Sequence, residues 1–206
     1  MFAILMMLTT SCSHTDKPPG TETSHNTRFS IPHSLEMNDS IYWYLNGDQL
    51  YITGSGPAYG GSGGKFPWKY VSCIRDNIKH VTVAGEITLL SPYCFSGLLK
   101  IESCAINSPV SIIGMGCFQD SRQLVHVDLS QCEITTIPID TFLGCGALTT
   151  VYLPSTLTRI GSYAFFGCNN LTTIFFAGSQ DEWNALIVED GNEQLLNVNV
   201  IFGKET

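Results

Sequence analysis

Two short apolar phrases recur along this 206-residue chain at a nearly constant interval, and no other feature restricts the fold as much. The first phrase reads apolar, two variable, apolar, one variable, apolar. It occurs as Ile78/Val81/Val83, Ile101/Cys104/Ile106, Leu124/Val127/Leu129, Leu148/Val151/Leu153 and Leu171/Ile174/Phe176, with a sixth copy at Leu195/Val198/Val200. Successive starts lie 23, 23, 24, 23 and 24 residues apart. The second phrase follows in the same rhythm as Ile87/Leu90/Phe95, Val110/Ile113/Phe118, Ile134/Ile137/Phe142 and Leu157/Ile160/Phe165. Its internal offsets of three and five residues are the same in all four copies.

The period dictates the physics of one unit. Alternating, β-branched residues in the first phrase predict a short strand with one buried face. The second phrase carries turn residues such as Pro109, Pro154 and Gly161 before its Phe. It predicts a compact turn, or a single helical turn, that returns the chain to the next strand. One unit buries too few side chains to offset the entropy of ordering its backbone, so units must stack. The product is a solenoid with a parallel sheet along one side, roughly 25–30 Å wide for six strands.

Both ends need closures. Ile41–Leu45, Asn46-Gly47 and Leu50–Ile52 read as a hairpin, and Trp43, Phe66 and Trp68 would cover the first repeat. Downstream, Ser179 and Glu182 match a capping box, which predicts a short helix through Trp183, Leu186 and Ile187 that ends near Gly191. The expected organisation is a signal peptide over 1–11, a flexible tether over 12–39, an N-terminal cap over 40–77, repeats over 78–177 and a C-terminal cap over 178–206. The signal is read from the apolar block Phe2–Leu8 and the small residues Thr9, Thr10 and Ser11. The tether is rich in Ser, Thr, Pro, His and Asn without periodicity.

The stretch "LTTVYLPSTLTRIGSYAFFGCNN" closely resembles the leucine-rich repeats of the BspA type, found in bacterial cell-surface proteins. "WYLNGDQLYITGSGPAYGG" and "NVNVIF" resemble the flanks of such repeats, so the likeness runs from about 41 to 202. It implies a right-handed solenoid on a secreted or surface-anchored protein used for adhesion or ligand binding, and it fixes no ligand. Cys104 at a core position and Pro138 where Gly is usual depart from the pattern. Separately, Cys12 after small residues resembles a bacterial lipoprotein signal and would be the lipid anchor. An ordinary cleaved signal is the alternative, because no Lys or Arg precedes Phe2.

Composition narrows function further. Charged residues make up 14% of the chain, and the formal charge is −8. That charge argues against nucleic acid and against anionic lipid headgroups as partners. No apolar run reaches the roughly 18 residues of a membrane span, which leaves a lipid anchor as the expected membrane attachment. Catalytic motifs fail one by one. Ser62 formally sits in a nucleophile-elbow pattern without its frame, Lys65 lacks the Ser or Thr of a phosphate loop, and Tyr59 breaks a dinucleotide fingerprint. No Cys-x-x-Cys or His-x-x-x-His pair suggests a metal. Neither an enzyme, a cofactor nor a metal site is therefore expected. The acidic residues Asp181, Glu182, Glu189, Asp190 and Glu193 read as a solvated cap face.

The cysteines fall into register: Cys94 and Cys117 precede the Phe, while Cys145 and Cys168 follow it by three. They are either packed thiols or disulfides between stacked repeats; parallel side chains favour thiols. Cys73 and Cys132 have no assignment.

Binding is the expected activity, and the sheet's outer face is where to look. One row should hold Thr82, Ala105, Asp128, Tyr152 and Phe175, and its neighbour His80, Ser103, His126, Thr150 and Thr173. From these, Asp128, Tyr152, Phe175, His126, Thr150 and Thr173 are the candidate ligand-binding residues. The partner would be a host or microbial surface protein, or a polysaccharide. The alternative is a structural or assembly component of the cell envelope without an external ligand.

Overall fold

The computed structural model describes residues 27–30, 40–59, 66–70 and 75–203. The expected signal peptide, the anchor Cys12, most of the tether, the glycine-rich loop 60–65 and Cys73 lie outside the described residues. Thirteen strands are described: β1 Thr27–Ser30, β2 Ile41–Asn46, β3 Gln49–Ala58, β4 His80–Leu90, β5 Ser103–Asn107, β6 Ile112–Ile113, β7 His126–Asp128, β8 Thr136–Ile137, β9 Thr150–Leu153, β10 Arg159–Ile160, β11 Thr173–Phe176, β12 Ile187–Val188 and β13 Asn199–Phe202.

The main sheet runs β1-β2-β3-β4-β5-β7-β9-β11-β13, and β6 pairs with the far end of β4. The first three strands are antiparallel, and every later pair is parallel. A second parallel sheet, β8-β10-β12, forms beside it. The second phrase is thus more than a turn, because it contributes the end of β4 to the first coil and a two-residue strand to each of the next three before turning. All residues of the first five strand phrases and of the four turn phrases are buried. Alternation produces this: in β9 and β11, Val151, Leu153, Ile174 and Phe176 are buried while the residues between them are half-exposed.

The phenylalanines of the second phrase form one stack through the core. Ring centroids are 5.4 Å apart for Phe95–Phe118, 5.3 Å for Phe118–Phe142 and 5.1 Å for Phe142–Phe165. Trp68 continues the stack upstream at 6.3 Å from Phe95, with Phe66 and Trp43 packed on it in turn. The expected N-terminal cover of the first repeat is therefore present.

Backbone amides then link each coil to the next. Phe95 N–H donates to Cys117 O at 2.8 Å, Phe118 N–H to Thr141 O at 2.9 Å, and Phe142 N–H to Ala164 O at 2.7 Å. Side chains three residues beyond the Phe donate in the opposite direction. Ser121 Oγ reaches Phe95 O at 3.0 Å, Cys145 Sγ reaches Phe118 O at 3.1 Å, and Cys168 Sγ reaches Phe142 O at 3.2 Å. Cys94, Cys104, Cys117, Cys132, Cys145 and Cys168 are all free and buried, so the disulfide alternative is not realised among them. Burial pushes the thiols of Cys117, Cys132 and Cys168 up to about 12.

Two residues before each Phe the backbone is left-handed, with φ of 59° at Tyr93, 58° at Gly116, 59° at Asp140 and 56° at Tyr163. The rings of Tyr93 and Tyr163 cover glycines of the following turn. A Cβ on Gly116 would come within 2.4 Å of the Tyr93 ring, and one on Gly191 within 2.3 Å of the Tyr163 ring.

Three expectations change. Thr27–Ser30, inside the segment read as a tether, is a strand that pairs with β2 from Thr27↔Leu45 to Ser30↔Tyr42, where the edge of β2 offers an open ladder. The capping box at Ser179 and Glu182 is present, but its helix covers only Gln180–Asn184. Ile187 turns into β12 instead, because the edge of β10 supplies ladder partners: Ile187 N–H donates to Thr158 O at 3.0 Å and Glu189 N–H to Ile160 O at 2.9 Å. The sixth strand is also shifted by two residues. Val200 and Phe202, not Val198 and Val200, lie opposite Ile174 and Phe176. The helix, β12 and a 3-10 turn at Glu193–Asn197 lengthen this last unit.

Candidate functional site: the outer face of the parallel sheet

In a strand whose alternate residues enter the core, the remaining side chains must stand on the opposite face. Parallel register then sets equivalent residues side by side. Thr82↔Ala105, Ala105↔Asp128, Asp128↔Tyr152 and Tyr152↔Phe175 are direct Cα partners, so the first expected row is continuous. His80↔Ser103, Ser103↔His126, His126↔Thr150 and Thr150↔Thr173 form the second. All six candidate residues therefore share one surface, each of them half-buried.

Their chemistry differs along the row. Tyr152 and Phe175 are stacked with ring centroids 4.4 Å apart and planes inclined by 7°. His126 meets Tyr152 edge-on at 5.1 Å. Asp128 accepts the Ser130 N–H at 2.8 Å through Oδ1. Thr150 and Thr173 carry hydroxyls close to those of Thr149 and Thr172, at 3.4 and 3.5 Å. Farther along, His80 Nδ1 lies 2.8 Å from Ser103 Oγ, and Gln49 Nε2 donates to Thr82 Oγ1 at 3.0 Å. No group of three or more His, Cys, Asp and Glu able to hold a metal ion exists among the described residues.

The rows extend beyond the repeats. Tyr44↔Tyr51 and Tyr51↔Thr82 carry the first row into the hairpin, and Phe175↔Ile201 carries it into β13. Tyr44 and Tyr51 form a second stack, 4.8 Å apart and inclined by 10°. Sequence reasoning missed this pair. The alternation Tyr42, Tyr44 in the hairpin was a usable signal, but β3 and β4 are joined by a crossover outside the repeat period, so their register was not legible. Four strand steps separate Tyr51 from Tyr152, or roughly 19 Å.

Stacked coils with one continuous parallel sheet and an exposed ladder face define a solenoid repeat protein. Residues 71–187, more than half of the chain, match the model of the BspA-type leucine-rich repeat region in six copies, and the chain belongs to that family. The matched span is narrower than the likeness seen from 41 to 202 and leaves out the hairpin. Similar solved structures include a leucine-rich cell surface protein from Faecalibacterium prausnitzii, at 20% identity and TM-score 0.48, with 75% of this chain and 42% of that one covered. A leucine-rich repeat protein from Eubacterium ventriosum matches at 20% identity and TM-score 0.43, with 68% and 42% covered. The leucine-rich repeat protein of T. pallidum matches at 17% identity and TM-score 0.36, with 80% and 82% covered. The chain thus spans 42% of the length of the first two. No curated protein matches the chain.

Proposed function

We propose that this is an exported, non-enzymatic surface protein that binds an extracellular partner, a protein or a glycan, through the outer face of its parallel sheet. The carrying observation is the Tyr152–Phe175 stack, two half-exposed aromatic rings in register toward the C-terminal end of the sheet face. Rigid aromatic side chains supply contact area at little entropic cost, which is why they concentrate at recognition sites. Membership of a repeat family used on bacterial cell surfaces supports export, and Cys12 would carry a lipid that holds the protein to the outer membrane. The test is an unbiased screen of the protein against glycans and surface proteins, repeated with Tyr152→Ala and Phe175→Ala together. The partner's affinity should fall while the folded state is kept; unchanged affinity would remove this face from consideration.

A second reading, an assembly component of the envelope, draws on a different observation. At the C-terminal end Ile187, Val188 and Leu196 are 58%, 47% and 83% exposed. Co-purification of one stoichiometric envelope component, with no external ligand, would favour it.

A further inference from the structure

Charge on the binding face is concentrated at one point. From β2 to β13 the two rows hold Tyr44, Tyr51, Thr82, Ala105, Asp128, Tyr152, Phe175 and Ile201, and beside them Asn46, Gln49, His80, Ser103, His126, Thr150, Thr173 and Asn199. Asp128 is the one carboxylate among them, and no Lys or Arg accompanies it. Its Oδ1 is taken by the Ser130 N–H, and no described donor reaches the other oxygen. Its neighbours are unequal. On one side stands Tyr152, and on the other Ala105, which leaves the surface low.

The stacking geometry sets what meets that carboxylate. Ring centroids one strand spacing apart with near-parallel planes stand upright and face along the sheet. Phe175 covers one face of Tyr152, and on the side of the Asp128 strand His126 meets the ring edge-on at 5.1 Å, so a cation at Asp128 would contact the Tyr152 ring beside His126. A carboxylate beside an aromatic face is a receptor for a planar or compact cation, which gains both a charge-assisted hydrogen bond and a cation–π contact. No other carboxylate in the two rows competes for that cation, and the −8 charge of the chain favours a basic partner over an acidic one.

We propose that the face binds a polypeptide partner by an arginine or lysine side chain, laid over Ala105 with its charged end between Asp128 and Tyr152. The proposal rests on the face reading above and narrows it to a basic protein segment. The second aromatic stack, Tyr44 and Tyr51, supplies the next contact along an extended segment, four strands away.

The test uses hexaarginine and, in parallel, cellohexaose, each titrated into the isotopically labelled full chain and followed by NMR and calorimetry. Asp128→Asn retains the acceptor for Ser130, so the turn is preserved while the charge is lost. Hexaarginine should shift the signals of His126, Asp128 and Tyr152. Its affinity should fall roughly tenfold in Asp128→Asn and also in Tyr152→Leu, while Asp181→Asn in the C-terminal cap, outside the two rows, leaves it unchanged. Equal weakening by Asp128→Asn and Asp181→Asn would mean bulk attraction to an acidic protein and would overturn the proposal. Binding of cellohexaose alone at these residues would overturn the polypeptide partner and leave the face reading standing. With both probes silent at Tyr152 and Phe175, the face reading would fail together with the proposal.

Discussion

The side-chain oxygen of Asn192 accepts the backbone N–H of Phe165 at 3.0 Å, in the place where the three preceding coils use a carbonyl of the next coil. The same side chain donates through Nδ2 to Gly161 O at 2.9 Å and Glu189 O at 2.8 Å. One buried amide thus stands in for a missing repeat and satisfies backbone groups at the end of the stack. Asn192→Ala would strand them, at a cost of about 2–3 kcal/mol. Urea denaturation should show the loss, with amide exchange rising first at Phe165, whose N–H loses its acceptor. Unchanged exchange at Phe165 would show that another group closes the end.

The thiols make stability depend on alkaline pH. An ordinary thiol in the unfolded chain titrates near 9.0, whereas burial holds Cys117, Cys132 and Cys168 up to about 12 in the folded protein. The folded state therefore keeps protons that the unfolded chain releases. The contribution is complete below about 9 and is lost as pH rises from about 9 toward about 12. Unfolding midpoints measured across that range should fall, and less steeply in Cys168→Ser.

That same variant separates hydrogen bonding from redox chemistry. If Cys168 acts as a donor to Phe142 O, serine should serve in its place as Ser121 already does toward Phe95 O. Cys168→Ser should remain within about 1 kcal/mol of the parent, and Cys168→Ala should fall below it. A thiol reagent should leave the native protein unmodified at Cys145 and Cys168, because both are buried. Rapid native labelling there would contradict the packing.

Gly191 faces two demands at once, a φ of 78° and the Tyr163 ring where its Cβ would lie. Gly191→Ala should cost more than the roughly 1–2 kcal/mol of a left-handed alanine alone. Pairing it with Tyr163→Ala relieves the ring contact and leaves the backbone term, so a double-mutant cycle should give a coupling of about 1 kcal/mol or more. Strict additivity would mean that the ring simply swings aside.

Core and face aromatics should separate in a stability series. Phe118→Ala opens the middle of the buried stack and should cost about 3–5 kcal/mol by thermal or urea unfolding. Tyr152→Ala removes a half-exposed ring and should cost no more than about 1 kcal/mol of stacking. Similar losses for both would tie the face residue to folding and weaken its use as a binding probe.

The repeat period made the interior of the stack legible, since a periodic sequence places periodic contacts. Tyr152 and Phe175 could be put side by side from spacing alone. The ends were harder because closure is achieved once, by residues with no counterpart to compare. Asn192 replaces a backbone carbonyl with a side chain, which no pattern of apolar residues announces. Ile187 fitted a helical face equally well until the open edge of β10 decided for a strand. The sixth strand slipped by two because spacing was carried across a unit that had been lengthened. Tyr44 and Tyr51 pair across the hairpin, but their place in the row beside Thr82 depends on the crossover from β3 to β4 and not on the repeat.

The traffic of hydrogen bonds between coils has one more implication. Amides reach forward and hydroxyl or thiol groups reach back, so every internal junction presents the same donors and acceptors on each side. A coil duplicated or deleted as a whole would meet matching neighbours, while the tryptophan-covered start and the Asn192 end would stay as they are. The length of such a molecule can be changed in whole coils without either end being rebuilt.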